Sequence, residues 1–169
     1  EVGRKKSIAA IEWAMSNNNA VFLTAQQDMD VEDPGFKDLY AYGVVAEVKQ
    51  VLRVSDELVK VLVEGKYRAK LLTLDSSGRF LLASTKAAAL RGTKSVDSAR
   101  VEALVRSVKE AFEEYLSLNP RLSKDVVYTI ITNEDAALLC DYIPANLLLK
   151  YTDKQALLNE GTVSGRLEK

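Results

Sequence analysis

The stretch from Tyr42 to Lys70 restricts the fold more than any other. Two runs rich in Val and Leu flank the polar Ser55-Asp56-Glu57, the pattern of a β-hairpin with a short connection. In the first run Val44, Ala46, Val48, Leu52 and Val54 share one face, interrupted by Gln50. In the return run Val59, Val61 and Val63 alternate with Leu58, Lys60, Leu62 and Glu64. Both faces are partly apolar, which suits a curved sheet with something packed on each side. Gly65 interrupts the pattern where a strand would bend or bulge. Nothing in the hairpin is catalytic in character.

A sheet of this kind needs a core, and 169 residues at 47% apolar content supply one. The 23 basic and 24 acidic residues nearly cancel, leaving a net charge of -1. That balance gives no general footprint for nucleic acid or an anionic membrane. No apolar run approaches the roughly 18 residues of a membrane span, and the start lacks a signal-peptide pattern. The first residue is Glu1 rather than Met, as expected of a trimmed or processed fragment. One cysteine, Cys140, forbids an internal disulfide and suits a reducing, cytoplasmic setting.

Before the hairpin, Arg4 to Met15 reads as a helix, with Ile8, Ile11 and Met15 at helical spacing. Asn17-Asn18-Asn19 offers its stop, because Asn tolerates left-handed backbone. Ala20 to Ala25 is short and apolar and reads as a buried strand. Gln26 to Tyr40 is acidic, with Pro34-Gly35 in its middle. Its aspartates do not make a calcium loop: counted from Asp28, the sixth and twelfth positions hold Asp33 and Leu39 instead of Gly and Glu. Met29, Phe36, Leu39 and Tyr40 place apolar groups in this polar loop. They either fold back onto the core or form an exposed sticky patch.

After the hairpin, Tyr67 to Leu74 is expected as a third strand and Arg79 to Ser84 as a fourth, joined by the turn Asp75-Ser-Ser-Gly78. This makes five strands and one helix, an antiparallel sheet or small barrel. Lys86 to Lys94 lacks a strand pattern and reads as linker. From Val101 a helical stripe runs through Leu104, Val105, Val108, Ala111, Phe112, Tyr115 and Leu116, capped by Asp97 or Ser98 and stopped at Asn119-Pro120. Val126 to Thr132 is a strand by propensity, yet Ser123 and Asn133 bracket it like helix caps, and periodicity does not decide. Asn133 to Ile143 fits a helix ended by Pro144. Thr152-Asp-Lys-Gln155 is a capping box, and Val163 to Lys169 is helix-like. A β-rich front half joined to a helical back half is an α+β arrangement.

The search for chemistry is mostly negative. Without histidine there is no His-based triad and no imidazole metal ligand. One cysteine excludes thiolate zinc sites. Neither a Gly-x-x-x-x-Gly-Lys-Ser/Thr loop nor a Gly-x-Gly-x-x-Gly fingerprint occurs. Cys140 sits among Leu138, Leu139 and Ile143, which points to a buried, inert thiol. No catalytic, cofactor-binding or metal-ligating residue is assigned, and the fragment is not expected to be an enzyme by itself.

A resemblance then becomes specific. Val2-Gly-Arg-Lys-Lys-Ser-Ile8, Val21-Phe-Leu-Thr-Ala-Gln-Gln27, Asp33-Pro-Gly35, Tyr42-Gly-Val-Val-Ala-Glu-Val48 and Val61-Leu-Val-Glu-Gly-Lys-Tyr-Arg-Ala69 follow in a familiar order. So do Glu102-Ala-Leu-Val-Arg-Ser-Val108, Phe112-Glu-Glu-Tyr115, Ala145-Asn-Leu147, Lys154-Gln-Ala-Leu-Leu158 and Arg166-Leu-Glu-Lys169. Together they resemble the amino-terminal domain of bacterial Lon-type ATP-dependent proteases, collinearly over nearly the whole chain.

The resemblance implies a PUA-like β-rich subdomain over 1–85, a linker over 86–97 and a helical-bundle subdomain over 98–169, with Val126 to Thr132 helical. It implies a non-catalytic part that recognises damaged or unfolded proteins through exposed apolar segments and supports assembly of a homohexamer. The candidate binding residues are Met29, Phe36, Leu39 and Tyr40. An AAA+ module using ATP and magnesium, and a serine protease domain, would lie outside this chain. An RNA-binding or standalone PUA-like domain is the alternative, against which the neutral charge counts. The family pattern also has a stretch before Val2 whose strand pairs into the sheet, a glycine in the hairpin turn where Ser55-Asp56-Glu57 stands, and a proline where Leu148 stands. Its counterpart of Lys86 to Lys94 is acidic, where this chain is basic.

Overall fold

The two valine-rich runs do pair with each other, and the sheet grows outward from them. The computed structural model describes residues 1–55, 57–92, 98–119 and 121–169 and divides into two units, Glu1–Ala89 and Leu90–Lys169. In the first, strands β1 (Ala20–Leu23), β2 (Tyr42–Arg53), β3 (Val59–Asp75) and β4 (Leu82–Ala87) form one antiparallel sheet in the order β1-β2-β3-β4. Asp56 of the expected hairpin turn lies outside the described residues. The flanking amides of Val54 and Ser55 both donate to the Leu58 carbonyl.

The sheet has four strands, not five. Tyr67 to Leu74 continues the return run of the hairpin, so β3 is 17 residues long. Gly65 was expected to bend or bulge the strand, and the strand does bulge: Ala46 faces Gly65 while Val45 faces Tyr67, leaving Lys66 over. A bulge bends a strand without ending it. The fourth strand begins later than its residue pattern suggests, because the Asp75 carboxylate accepts from the amide and hydroxyl of Ser77 and holds the turn. Lys86 and Ala87, read from sequence as linker, pair with Lys70 and Ala69 as the end of β4. Gly43 is required by close approach: a Cβ there would sit 2.2 Å from the Leu23 carbonyl oxygen and 2.7 Å from the Phe22 ring.

Helix α1 (Lys5–Met15) packs on this sheet, where Ile11, Val48 and Val59 are buried together. It stops as the asparagines suggest. Asn19 takes a left-handed conformation at φ 56, and its amide donates to the Ala14 carbonyl.

Among the described residues of the second unit the elements are helices: α2 (Ser98–Leu118), α3 (Lys124–Thr132), α4 (Ala136–Asn146), α5 (Tyr151–Asn159) and α6 (Val163–Leu167). Except for Ala111, the stripe identified on α2 joins a core built on Phe112, Ile130, Leu139 and Val163. Residues Thr93–Asp97 and Pro120, which include one proposed cap and one proposed stop, lie outside the described residues. Helix α3 replaces the strand that propensity suggests. Ser123 caps it by accepting from the Val126 amide, and Ile130 is fully buried.

Two helix boundaries differ from the sequence reading. Helix α4 starts at Ala136 behind its cap Asp135, whose carboxylate accepts from the amides of Ala137 and Leu138, and it runs through Pro144 to Asn146. Proline at this position removes the one amide that would donate back to the Cys140 carbonyl, and the helix ends two residues later. Helix α5 starts one residue before the expected capping box, so Thr152 lies inside the first turn. Gln155 is buried and donates forward to Asn159 Oδ1 instead of reaching back.

Candidate apolar binding cleft

Apolar residues of β1 and β3 line one cleft beside α1. Val21 and Leu23 on β1 share a side, as do Val61 and Val63 on β3. A second register irregularity, at Leu72, brings Leu74 onto the side of Leu71. These six side chains, with Ala10 and Ile11 of α1, line a cleft of about 930 Å³. Leu23 and Val63 remain 45% and 37% exposed, so the cleft opens to solvent.

Charged residues also border this cleft. Arg4, Lys5 and Lys6 come from the start of α1, and Glu32 and Asp33 from the acidic loop. Lys6 Nζ donates to both Asp33 carboxylate oxygens at 2.7 and 2.9 Å. Arg4 donates to Gln26 Oε1 and to the Val31 carbonyl. The loop is fixed at its base as well. The Tyr40 amide donates to the Ala25 carbonyl, and the Gln27 amide to that of Asp38. The acidic loop is therefore a bonded wall of the cleft.

On the side away from β2, β3 pairs with β4 only from Ala69 to Asp75. At its other end Val59 exchanges two hydrogen bonds with Val2, at 2.8 and 2.9 Å. Among the described residues no strand covers Lys60 to Tyr67 between these points. Val61 and Val63 have the parity of Val59, so their amides and carbonyls point outward along this edge.

The four residues singled out from sequence are not brought together as one patch. Met29 and Phe36 are 67% and 48% exposed, Tyr40 is half-buried and Leu39 is buried. Only Leu39 lines the cleft, held by an antiparallel bridge to Gln26. The composition of the loop drew attention to it, but the larger apolar surface is made by strand residues. Their one sequence signal was that both faces of the hairpin are apolar.

Cys140 is not an activated nucleophile. Burial pushes the Cys140 thiol up to about 11, with Asp141 and Asp135 adding to the shift and Arg166 opposing it. Its sulfur faces the Val163 carbonyl at 3.7 Å. Such a thiol is protonated and inert at neutral pH. No helix of the described residues is long and apolar enough to cross a membrane.

Comparison with known proteins places this geometry. The family model for the "ATP-dependent protease La (LON) substrate-binding domain" matches residues 1–169. The Lon protease of Escherichia coli (strain K12) is 38% identical over 167 residues, covering 99% of this chain and 21% of that protein. Lon protease 3 of Sorangium cellulosum (strain So ce56) is 39% identical over 169 residues, covering 99% of this chain and 20% of that protein. The chain thus spans about a fifth of the length of these relatives. The solved N-terminal domain of a Mycobacterium avium complex Lon protease shares the fold, with a TM-score of 0.73 at 20% identity. That match covers 96% of this chain and 81% of the other. A Lon N-terminal domain protein from Xanthomonas campestris superposes at a TM-score of 0.57 and 14% identity, over 95% of this chain and 79% of its own.

Proposed function

Since this chain belongs to the family of Lon substrate-binding domains, we propose that it is the non-catalytic recognition part of an ATP-dependent serine protease. In this reading it captures exposed apolar segments of damaged or unfolded proteins and supports assembly of a cytoplasmic homohexamer. ATP, magnesium and the protease chemistry belong to parts of the parent protein outside this chain.

The observation that supports the reading is the apolar cleft lined by β1, β3 and α1. An unfolded segment can dock where its apolar side chains leave water. Val21, Leu23, Val61, Val63, Leu71 and Leu74 offer that surface. Each buried apolar side chain contributes about 2 kcal/mol, while association costs at least ~4 kcal/mol. One or two anchors therefore bind nothing, and roughly six are needed for micromolar affinity. Apolar residues gathered along one cleft can supply that number without demanding a fixed sequence. The exposed Met29 and Phe36 stand outside this cleft and serve at most as auxiliary contacts.

The test is binding of a fluorescently labelled, carboxymethylated, permanently unfolded protein, followed by anisotropy. The double substitution Val61→Lys with Val63→Lys weakens binding at least tenfold with the circular dichroism of the fold retained. The pair Met29→Ser and Phe36→Ser changes it twofold or less. Wild-type affinity in the doubly lysine-substituted protein would show that the cleft is not the site.

A further inference from the structure

The connection between the two units is bonded to each of them almost to the point where they meet. On the sheet side, the Ala88 amide donates to the Arg68 carbonyl at 2.9 Å, and Arg68 Nε donates back to the Ala88 carbonyl at 2.9 Å. On the helical side, the Arg91 amide donates to the Gly161 carbonyl at 2.9 Å, and the Val163 amide to the Arg91 carbonyl at 3.0 Å. This is a parallel bridge, Arg91 to Thr162. Leu90 packs against the helical core.

The receiving segment is itself fixed. The Glu160 carboxylate accepts from the amides of Gly161 and Thr162 and from the Thr162 hydroxyl. Val163, Arg166 and Leu167 of α6 are buried. Arg166 bonds the Glu160 carbonyl through Nε and pairs with Asp141. Gly92 follows in a left-handed conformation at φ 82.

We propose that the hinge of this protein is the single step Ala89–Leu90, and that Arg91, tied to Gly161 and Val163, moves with the helical unit. The distinction has a size. A free linker over 86–97 would have a root-mean-square span of roughly 20 Å. The three steps from Ala88 to Arg91 reach at most about 11 Å even when fully extended. The first would be a tether that lets the units drift apart, and the second is a pivot that lets them only turn. The bridge also joins that pivot to Gly161–Val163, the lead-in to α6, so displacement of α6 acts directly on the hinge.

Two insertions in the full chain test this. Spin labels are placed at Ser76→Cys and Glu113→Cys, with the buried Cys140 thiol left in place, and the distance distribution between them is measured by pulsed electron resonance. A Gly-Ser-Gly insertion after Ala89 broadens the distribution by roughly 10 Å. The same insertion after Gly92 leaves its width unchanged. Hydrogen exchange at the Arg91 and Val163 amides stays slow in both, which reports that the bridge is intact. Equal broadening by both insertions, no broadening by either, or fast exchange at Arg91 in the parent chain would each overturn the hinge assignment.

Discussion

At the residue scale, the most distinctive chemistry lies on the exposed side of the hairpin. Glu47 faces Glu64 directly across β2 and β3, a like-charge pair that is unfavourable by itself. The two register shifts that flank it leave over one residue each, Lys49 on β2 and Lys66 on β3. Each lysine reaches both glutamates, at 2.8 Å in three contacts and 2.9 Å in the fourth. The Lys49 and Lys66 ammonium groups hold the Glu64 carboxyl down to about 2, against an ordinary 4.5. They also lower Glu47, and both lysines are raised in turn. A depressed carboxyl stabilises the folded state fully above its unfolded value and loses that contribution as pH falls through its folded value. Glu64→Gln should therefore be less stable than the parent chain at pH 6, with the difference shrinking below pH 4.5 and closing as pH falls through 2, as read by urea unfolding across that range. Because these groups are exposed, 0.5 M salt should shrink the difference.

At the element scale, α3 decides whether propensity or packing wins. Val126-Val-Tyr-Thr-Ile-Ile-Thr132 is rich in β-branched residues, whose helical preference is lower by tenths of a kcal/mol each. Against that stands the burial of a whole helix face: Ile130 is completely buried beside Leu139 and Phe112, with Val126 and Val127 packed on the same core, at about 1.5–3 kcal/mol for each fully buried side chain. Ile130→Ala should lower the stability of the helical unit by about 2–5 kcal/mol, measured by the amide exchange of α2 and α4. A loss below ~1 kcal/mol would mean that something other than this packing holds α3. The Ser123 cap and the Asn133 stop were legible in the chain. The choice of helix followed from resemblance, because nothing local carries it.

At the scale of the whole molecule, the two cores share no residue. One is centred on Ile11, Val48 and Val59, the other on Phe112, Ile130, Leu139 and Val163. Substitutions in separate cores add within about 0.5 kcal/mol. Val59→Ala and Ile130→Ala together should therefore sum their separate losses, each read by hydrogen exchange in its own unit. A coupling above ~1 kcal/mol would show that the cores fold as one body. The candidate cleft belongs to this scale as well. Val21, Val61 and Leu74 are far apart in sequence, and only the curl of the sheet and the placement of α1 make them one surface.

The sequence by itself determined the β-rich front and helical back, the hairpin, the α2 stripe and the asparagine stop of α1. These rest on periodicity and local backbone preference, which are readable residue by residue. Tertiary structure alone decided that Tyr67 to Leu74 prolongs a strand, that Leu39 turns inward while Met29 and Phe36 do not, and that Lys86, Ala87 and Arg91 are bonded rather than free. Each of these depends on a partner distant in sequence, and no local pattern says which backbone edge or apolar face that partner will meet.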